Sequence, residues 1–135
     1  MAWIEPKTDW VSSDYFNVED YNRITGNLTH LQILADDLFK NINTERVGVD
    51  KDYTSMIYAR EMNEIEDALE DLNLKTYRKD IGEKQVYRDN GLTPLWSEFN
   101  RIETACQLLY DELELHQQNM FRIAFNLGNQ KGIRV

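Results

Sequence analysis

A single cysteine, Cys106, stands in the 135 residues, so no disulfide can form within the chain and cysteine usage leaves the redox compartment open. Prolines number two and glycines six, which leaves long stretches without a helix breaker. The two histidines, His30 and His116, lie far apart and outside any metal-binding or nucleophile-activating motif. No apolar run reaches the roughly 18 residues of a membrane span. The opening Met-Ala-Trp-Ile-Glu-Pro has neither the basic nor the apolar region of a signal peptide, so a cytoplasmic origin is expected. Basic residues are in deficit, 15 against 24 acids. The net charge of −9 argues against a general phosphate-backbone binder. The length suits one domain that buries a core without disulfides or metal.

Chemistry-bearing constellations are equally scarce. Cys106 falls between Ile102 and Leu109 on an apolar helix seam, which reads as a small buried hydrophobe rather than an exposed nucleophile. The stretch Asp50, Asp52, Thr54 and Glu61 places oxygens at positions 1, 3, 5 and 12 of a calcium loop, with Ile57 at position 8. Ser55 occupies the position where the sharp turn demands glycine, so a helix start among acids is the simpler reading. Glu61, Glu64, Asp67, Glu70 and Asp71 form an acidic helix face with no sign of a pocket that would shift their pKa values. Asn27-Leu28-Thr29 matches a glycosylation sequon but lies within a helix. The residues thus predict no enzyme, no metal and no cofactor.

What is present is helical periodicity. Tyr21, Ile24, Leu28, Leu31, Ala35, Leu38 and Ile42 step by three and four, predicting a helix over about 18–41 with Asn17 as its N-cap and Asp20 in its first turn. Tyr58, Met62, Ile65, Leu69 and Leu72 predict a second over about 55–74, capped by Thr54. Thr93 and Pro94 open a third over about 94–118, with Leu95, Phe99, Ile102, Cys106, Leu109 and Leu113 as its seam.

Aligning the seams exposes a repeat. Asp20-Tyr21-Asn22-Arg23-Ile24, Glu61-Met62-Asn63-Glu64-Ile65 and Glu98-Phe99-Asn100-Arg101-Ile102 each read acid, large apolar, Asn, charged, Ile. Spacings of 41 and 37 residues fall in the range of helical repeats. Asn22, Asn63 and Asn100 should therefore sit at equivalent heights in one packing layer, bordering the core rather than filling it. Charge is also distributed unevenly. Residues 50–72 hold eight acids and two bases, residues 75–88 five bases and two acids, and residues 122–135 three bases and no acid. Solvated helix faces are the simplest reading, and head-to-tail contact between copies is the functional one.

The two ends are rich in aromatics. Trp3, Trp10, Tyr15 and Phe16 crowd ahead of the first helix and must be buried against something, either the chain's own helices or a neighbouring subunit. At the other end Phe121, Ile123, Phe125 and Leu127 alternate with Arg122, Ala124 and Asn126, which favours a strand that would pair as an open edge with another chain. Leu113, His116, Met120, Ile123 and Leu127 continue the heptad and leave a helix extension as the rival.

The pattern Trp3-Ile-Glu-Pro6-Lys7-Thr8-Asp9-Trp10, then Asp14-Tyr15-Phe16-Asn17, then Asp20-Tyr21-Asn22-Arg23-Ile24 and Asn27 resembles the N-terminal pattern of small proteins of the tail and structural gene modules of phages and prophages of Gram-positive bacteria. The resemblance covers about the first 30 residues. It implies a non-enzymatic virion component of the tail, baseplate or a fibre attachment, assembled in the host bacterial cytoplasm. Its implied partners are itself, as a homo-oligomer in a ring or threefold arrangement, and other virion proteins, with no nucleic acid and no membrane. The competing expectation is a small acidic phage-encoded inhibitor whose acidic face mimics nucleic acid and blocks a host DNA-binding protein. The expected fold is mainly α: a three-helix bundle over 17–119, an extended aromatic arm over 1–16, and a C-terminal β-ribbon or helix extension over 120–135.

Overall fold

The computed structural model describes residues 3–40, 42, 44, 59–88 and 96–129. Three helices carry the fold: α1 (Val18–Phe39), α2 (Ala59–Lys75) and α3 (Trp96–Asn129). Among the described residues there is no strand. The proposed caps Thr54, Thr93 and Pro94, the calcium-loop positions Asp50–Ile57, and seam residues Tyr58 and Leu95 lie outside the described residues.

Each start and stop has a local cause. At the head of α1 the Asp20 N–H donates to Asn17 Oδ1 (3.1 Å) while the Asn17 N–H donates to Asp20 Oδ2 (3.0 Å), a reciprocal capping box. Lys40 ends α1 in the left-handed region at φ 64°, its N–H donating to the Asp36 carbonyl. Arg78 at φ 52° follows the end of α2, and its N–H reaches the Asn73 carbonyl at 2.9 Å.

The alternating three-and-four spacing turns one stripe of each helix inward. Ile24, Leu28, Leu31 and Ala35 of α1 meet Met62, Ile65, Leu69 and Leu72 of α2 and Phe99, Ile102, Cys106, Leu109 and Leu113 of α3, all buried. Each helix packs against the other two. Burying a large aliphatic or aromatic side chain stabilises by about 1.5–3 kcal/mol, so this shared core dominates the fold. Two extended segments lie over it: a first strap, residues 3–16, and a second, residues 76–88. Each contributes an aromatic to the same core, Trp10 and Tyr87.

The C-terminal segment corrects the strand reading. Residues 121–129 continue α3, which runs 34 residues. Phe121 and Ile123 satisfy a period of two only over a short window, whereas the three-and-four phase runs unbroken from Phe99. A helix satisfies its backbone groups from within, while a ribbon needs a second strand beside it. With no proline after position 94, nothing stops the helix at Gln118.

Candidate functional site

The two straps are held by the same device. On the first, the Trp10 N–H donates to Asn100 Oδ1 (2.8 Å) and Asn100 Nδ2 donates back to the Trp10 carbonyl (3.0 Å). One turn further along α3, Glu103 Oε2 accepts the Trp10 indole N–H at 2.6 Å. Glu103 is buried, and Arg23 of α1 neutralises it through Nε to Oε1 and Nη2 to Oε2, both at 2.7 Å. Arg23 also donates to Asp20 at 2.9 Å.

On the second strap, the Tyr87 N–H donates to Asn63 Oδ1 (2.7 Å) and Asn63 Nδ2 donates to the Tyr87 carbonyl (2.8 Å). One turn along α2, Glu66 Oε2 accepts the Tyr87 hydroxyl at 2.8 Å, and Arg101 of α3 pairs with the same oxygen. Arg101 also donates to Glu98 at 2.9 Å. In both clamps an asparagine grips the strap backbone as a neighbouring strand would. The residue three positions on holds the aromatic's polar atom, and the arginine comes from the residue after another helix's repeat asparagine. Asn27 and Asn73 add further two-way grips, on Ile4 (2.9 and 2.7 Å) and Lys79 (2.9 and 2.8 Å).

Two of the three repeat asparagines, Asn63 and Asn100, thus fasten the extended segments to the helices. Asn63 and Asn100 are half-buried, each next in sequence to a core residue, Met62 and Phe99. Asn22 is half-buried, and α1 carries Thr25 where the other helices carry the glutamate. The Thr25 hydroxyl turns back to the Tyr21 carbonyl at 3.0 Å. The sequence reading missed Glu66, Glu103, Asn27 and Asn73. The signal for the glutamates was available, because Ile65-Glu66 and Ile102-Glu103 extend the repeat by one residue on two of the three helices.

Burial sets the electrostatics. Desolvation holds the Glu66 carboxyl above its ordinary value, with Arg101 and Tyr87 opposing that rise. Desolvation and the Glu66 carboxylate together raise the Tyr87 phenol. The acids of α2 are met by bases of its own end and of the second strap: Lys84 lies 2.9 Å from Asp67 and 3.8 Å from Glu70, and Lys75 lies 3.2 Å from Asp71. The opposite charge blocks seen in sequence therefore partly neutralise each other inside the chain. Gly82 at φ 84° lets the second strap pass close to the Arg101 side chain, where a Cβ would stand 2.6 Å from Arg101 Cδ.

Cys106 and the two histidines pack within the fold. Burial raises the Cys106 thiol to about 12, which keeps it protonated near neutrality. His30 packs beside Trp3 and Tyr110, with ring centroids 5.9 Å from each. His116 Nδ1 lies 2.8 Å from the Tyr77 hydroxyl, and its ring stands edge-on to Phe39. Among the described residues no group of three or more His, Cys, Asp or Glu is placed to hold a metal ion. No described helix is long and apolar enough to cross a membrane.

The candidate contact residues divide sharply. Trp3 stacks on Tyr110 at 4.1 Å, Phe16 stacks on Phe99 at 4.2 Å, and Trp10 is 2 % exposed. Tyr15 is 88 % exposed. At the other end Phe121 and Ile123 are 69 % and 58 % exposed, joined by exposed Leu115 and Met120. Every residue from Gln118 to Ala124 is exposed, so α3 stands clear of the body there. Phe125 and Leu127 lie on the same helix, and their side chains lie outside what is described. No family model matches the chain, and neither a curated protein nor a solved structure matches it.

Proposed function

We propose that this chain is a non-enzymatic structural component of a phage tail module, working by protein–protein assembly as a homo-oligomer with other virion proteins. The observation that carries the reading is the C-terminal part of α3, where Met120, Phe121 and Ile123 are exposed. Exposed apolar residues grouped this way mark an interaction site. A lone helix of a few turns is only marginally stable in water, so this one gains from a partner. The N-terminal sequence pattern supports the phage assignment, and its aromatics fasten an arm to a three-helix bundle. The nucleic-acid-mimic reading has weaker support, because Asp67, Glu70 and Asp71 already face lysines.

Light scattering on the purified full chain tests the proposal, together with co-purification from cells expressing a tail module. A discrete oligomer, lost on deleting residues 121–135 while helicity is kept, is the expected result. A 16.0 kDa monomer that joins no tail protein and competes with DNA for a basic partner would overturn it. Deleting residues 1–16 is a test of folding instead, since Trp10 belongs to the core.

A further inference from the structure

The outer face of α3 carries a pattern that reads the same from both ends. At about 100° per residue, Asp111, Glu114, Leu115, Phe121 and Arg122 lie within about 60° of Gln118 around the helix, opposite the buried seam of Leu109 and Leu113. Glu114 and Arg122 stand four residues on either side of Gln118, and Leu115 and Phe121 three residues on either side. Leu115 is 54 % exposed and Phe121 69 % exposed, so both apolar members face solvent.

We propose that a second copy of this chain covers this face, antiparallel, with a twofold axis at Gln118. Such an axis sets Glu114 against Arg122 of the other copy twice over, and Leu115 against the other Phe121 twice over. An isologous contact of this kind needs one self-complementary patch. Charge selects the arrangement. Two chains of net charge −9 repel, and a parallel pairing would add Glu114 against Glu114. The antiparallel pairing brings Arg122, at the head of the acid-free stretch 122–135, onto the acidic end of the partner's face, where Asp111 and Glu114 lie. Asp111 is already held on one side by Gln107 Nε2 at 2.9 Å and Glu114 on one side by the Tyr110 hydroxyl, so the incoming arginine adds to an existing bond at either acid. One side of the end of α3 is then covered, while Met120 and Ile123, about 140–160° from Gln118 around the helix, stay open to other virion proteins. This deepens the assembly reading above and rests on it.

The test uses full-length chain in sedimentation equilibrium up to roughly 200 µM, a range that detects a Kd in the micromolar region. Wild type should reach twice 16.0 kDa. Glu114→Arg and Arg122→Glu should each weaken association by about tenfold, and the double variant should return to within about threefold of wild type. All four positions are on the surface, so circular dichroism should show unchanged helicity. Oxidising a mixture of Leu115→Cys and Phe121→Cys chains should cross-link them to each other more than either to itself. An oligomer indifferent to both reversals, or one that links Leu115→Cys to itself, would overturn the antiparallel contact and leave self-assembly standing. A monomer throughout would overturn both.

Discussion

The two ends of this chain are both rich in aromatics, yet one is folded in and the other left out. Trp10 is 2 % exposed and Phe121 69 % exposed. Hydrophobicity does not separate them. The difference lies in what the body offers the backbone. An extended strap leaves its N–H and C=O groups unpaired, and its burial requires partners for them. Asn27 and Asn100 supply those partners to Ile4 and Trp10, and Glu103 completes the job at the indole. The end of α3 satisfies its own backbone, so nothing draws it down onto the body. The first end contributes to stability, and the second remains available for contact.

The most severe way to break this contrast is Glu103→Ala. It removes the acceptor for the Trp10 indole and the Lys7 N–H, and it takes away the buried partner of Arg23. Removing one member of a buried ion pair costs roughly 3–5 kcal/mol. Urea unfolding should show a loss of that size. A loss below about 1 kcal/mol would mean that the strap is held by apolar packing alone. Glu66→Ala tests the equivalent position of the second clamp and should fall in the same range.

Asn100→Ala and Asn63→Ala come next. Each leaves a strap N–H and C=O without their side-chain partner, at about 1–3 kcal/mol. The two losses should agree within a factor of two if the clamps are equivalent. Asn100→Ala should also shift Trp10 fluorescence, which Asn63→Ala should leave unchanged.

These residues also mark how far the sequence could be read. The three helices followed from the spacing of Ile24, Leu28 and Leu31, of Ile65, Leu69 and Leu72, and of Ile102, Leu109 and Leu113, because burial on one face forces that spacing. The repeat pointed to Asn63 and Asn100 but not to what they grip, since the strap residues they hold lie 24 and 90 residues away. Glu66 and Glu103 fall one residue beyond the five-residue match, and nothing local in the sequence marks an acid beside a seam isoleucine as buried. Asn27 stood inside a sequon and was set aside. At the C-terminus both periodicities fitted Phe121 and Ile123, and only the continuity of the longer seam favoured the helix.

A smaller effect probes the second clamp by pH. The folded Glu66 carboxyl lies above the ordinary value of 4.5, mainly through desolvation. A raised folded pKa contributes stability that is fully present below the unfolded pKa and lost as pH rises through the folded one. Wild type should therefore lose stability relative to Glu66→Gln as pH climbs from 4.5 through that raised value. Denaturation midpoints of the two proteins should converge or cross over that interval and run parallel above it. Parallel curves throughout would show that Arg101 and Tyr87 fully offset the desolvation.

The smallest expected change in stability is at the exposed ends, and it sharpens the comparison most. Tyr15→Ala and Phe121→Ser both alter exposed aromatics, at 88 % and 69 % exposure. Neither should change the unfolding free energy by more than about 0.5 kcal/mol, the usual range for surface substitutions. Association should then distinguish them. Tyr15 lies on a strap whose other aromatics turn inward, so its loss should leave the solution mass unchanged. Phe121 lies on a helix with neighbouring exposed apolar residues, so its loss should reduce oligomer formation at equal stability. Matched masses for both variants would place the contact surface elsewhere. Reduced association for Tyr15→Ala alone would move it to the arm, and the exposed end of α3 would then need another explanation.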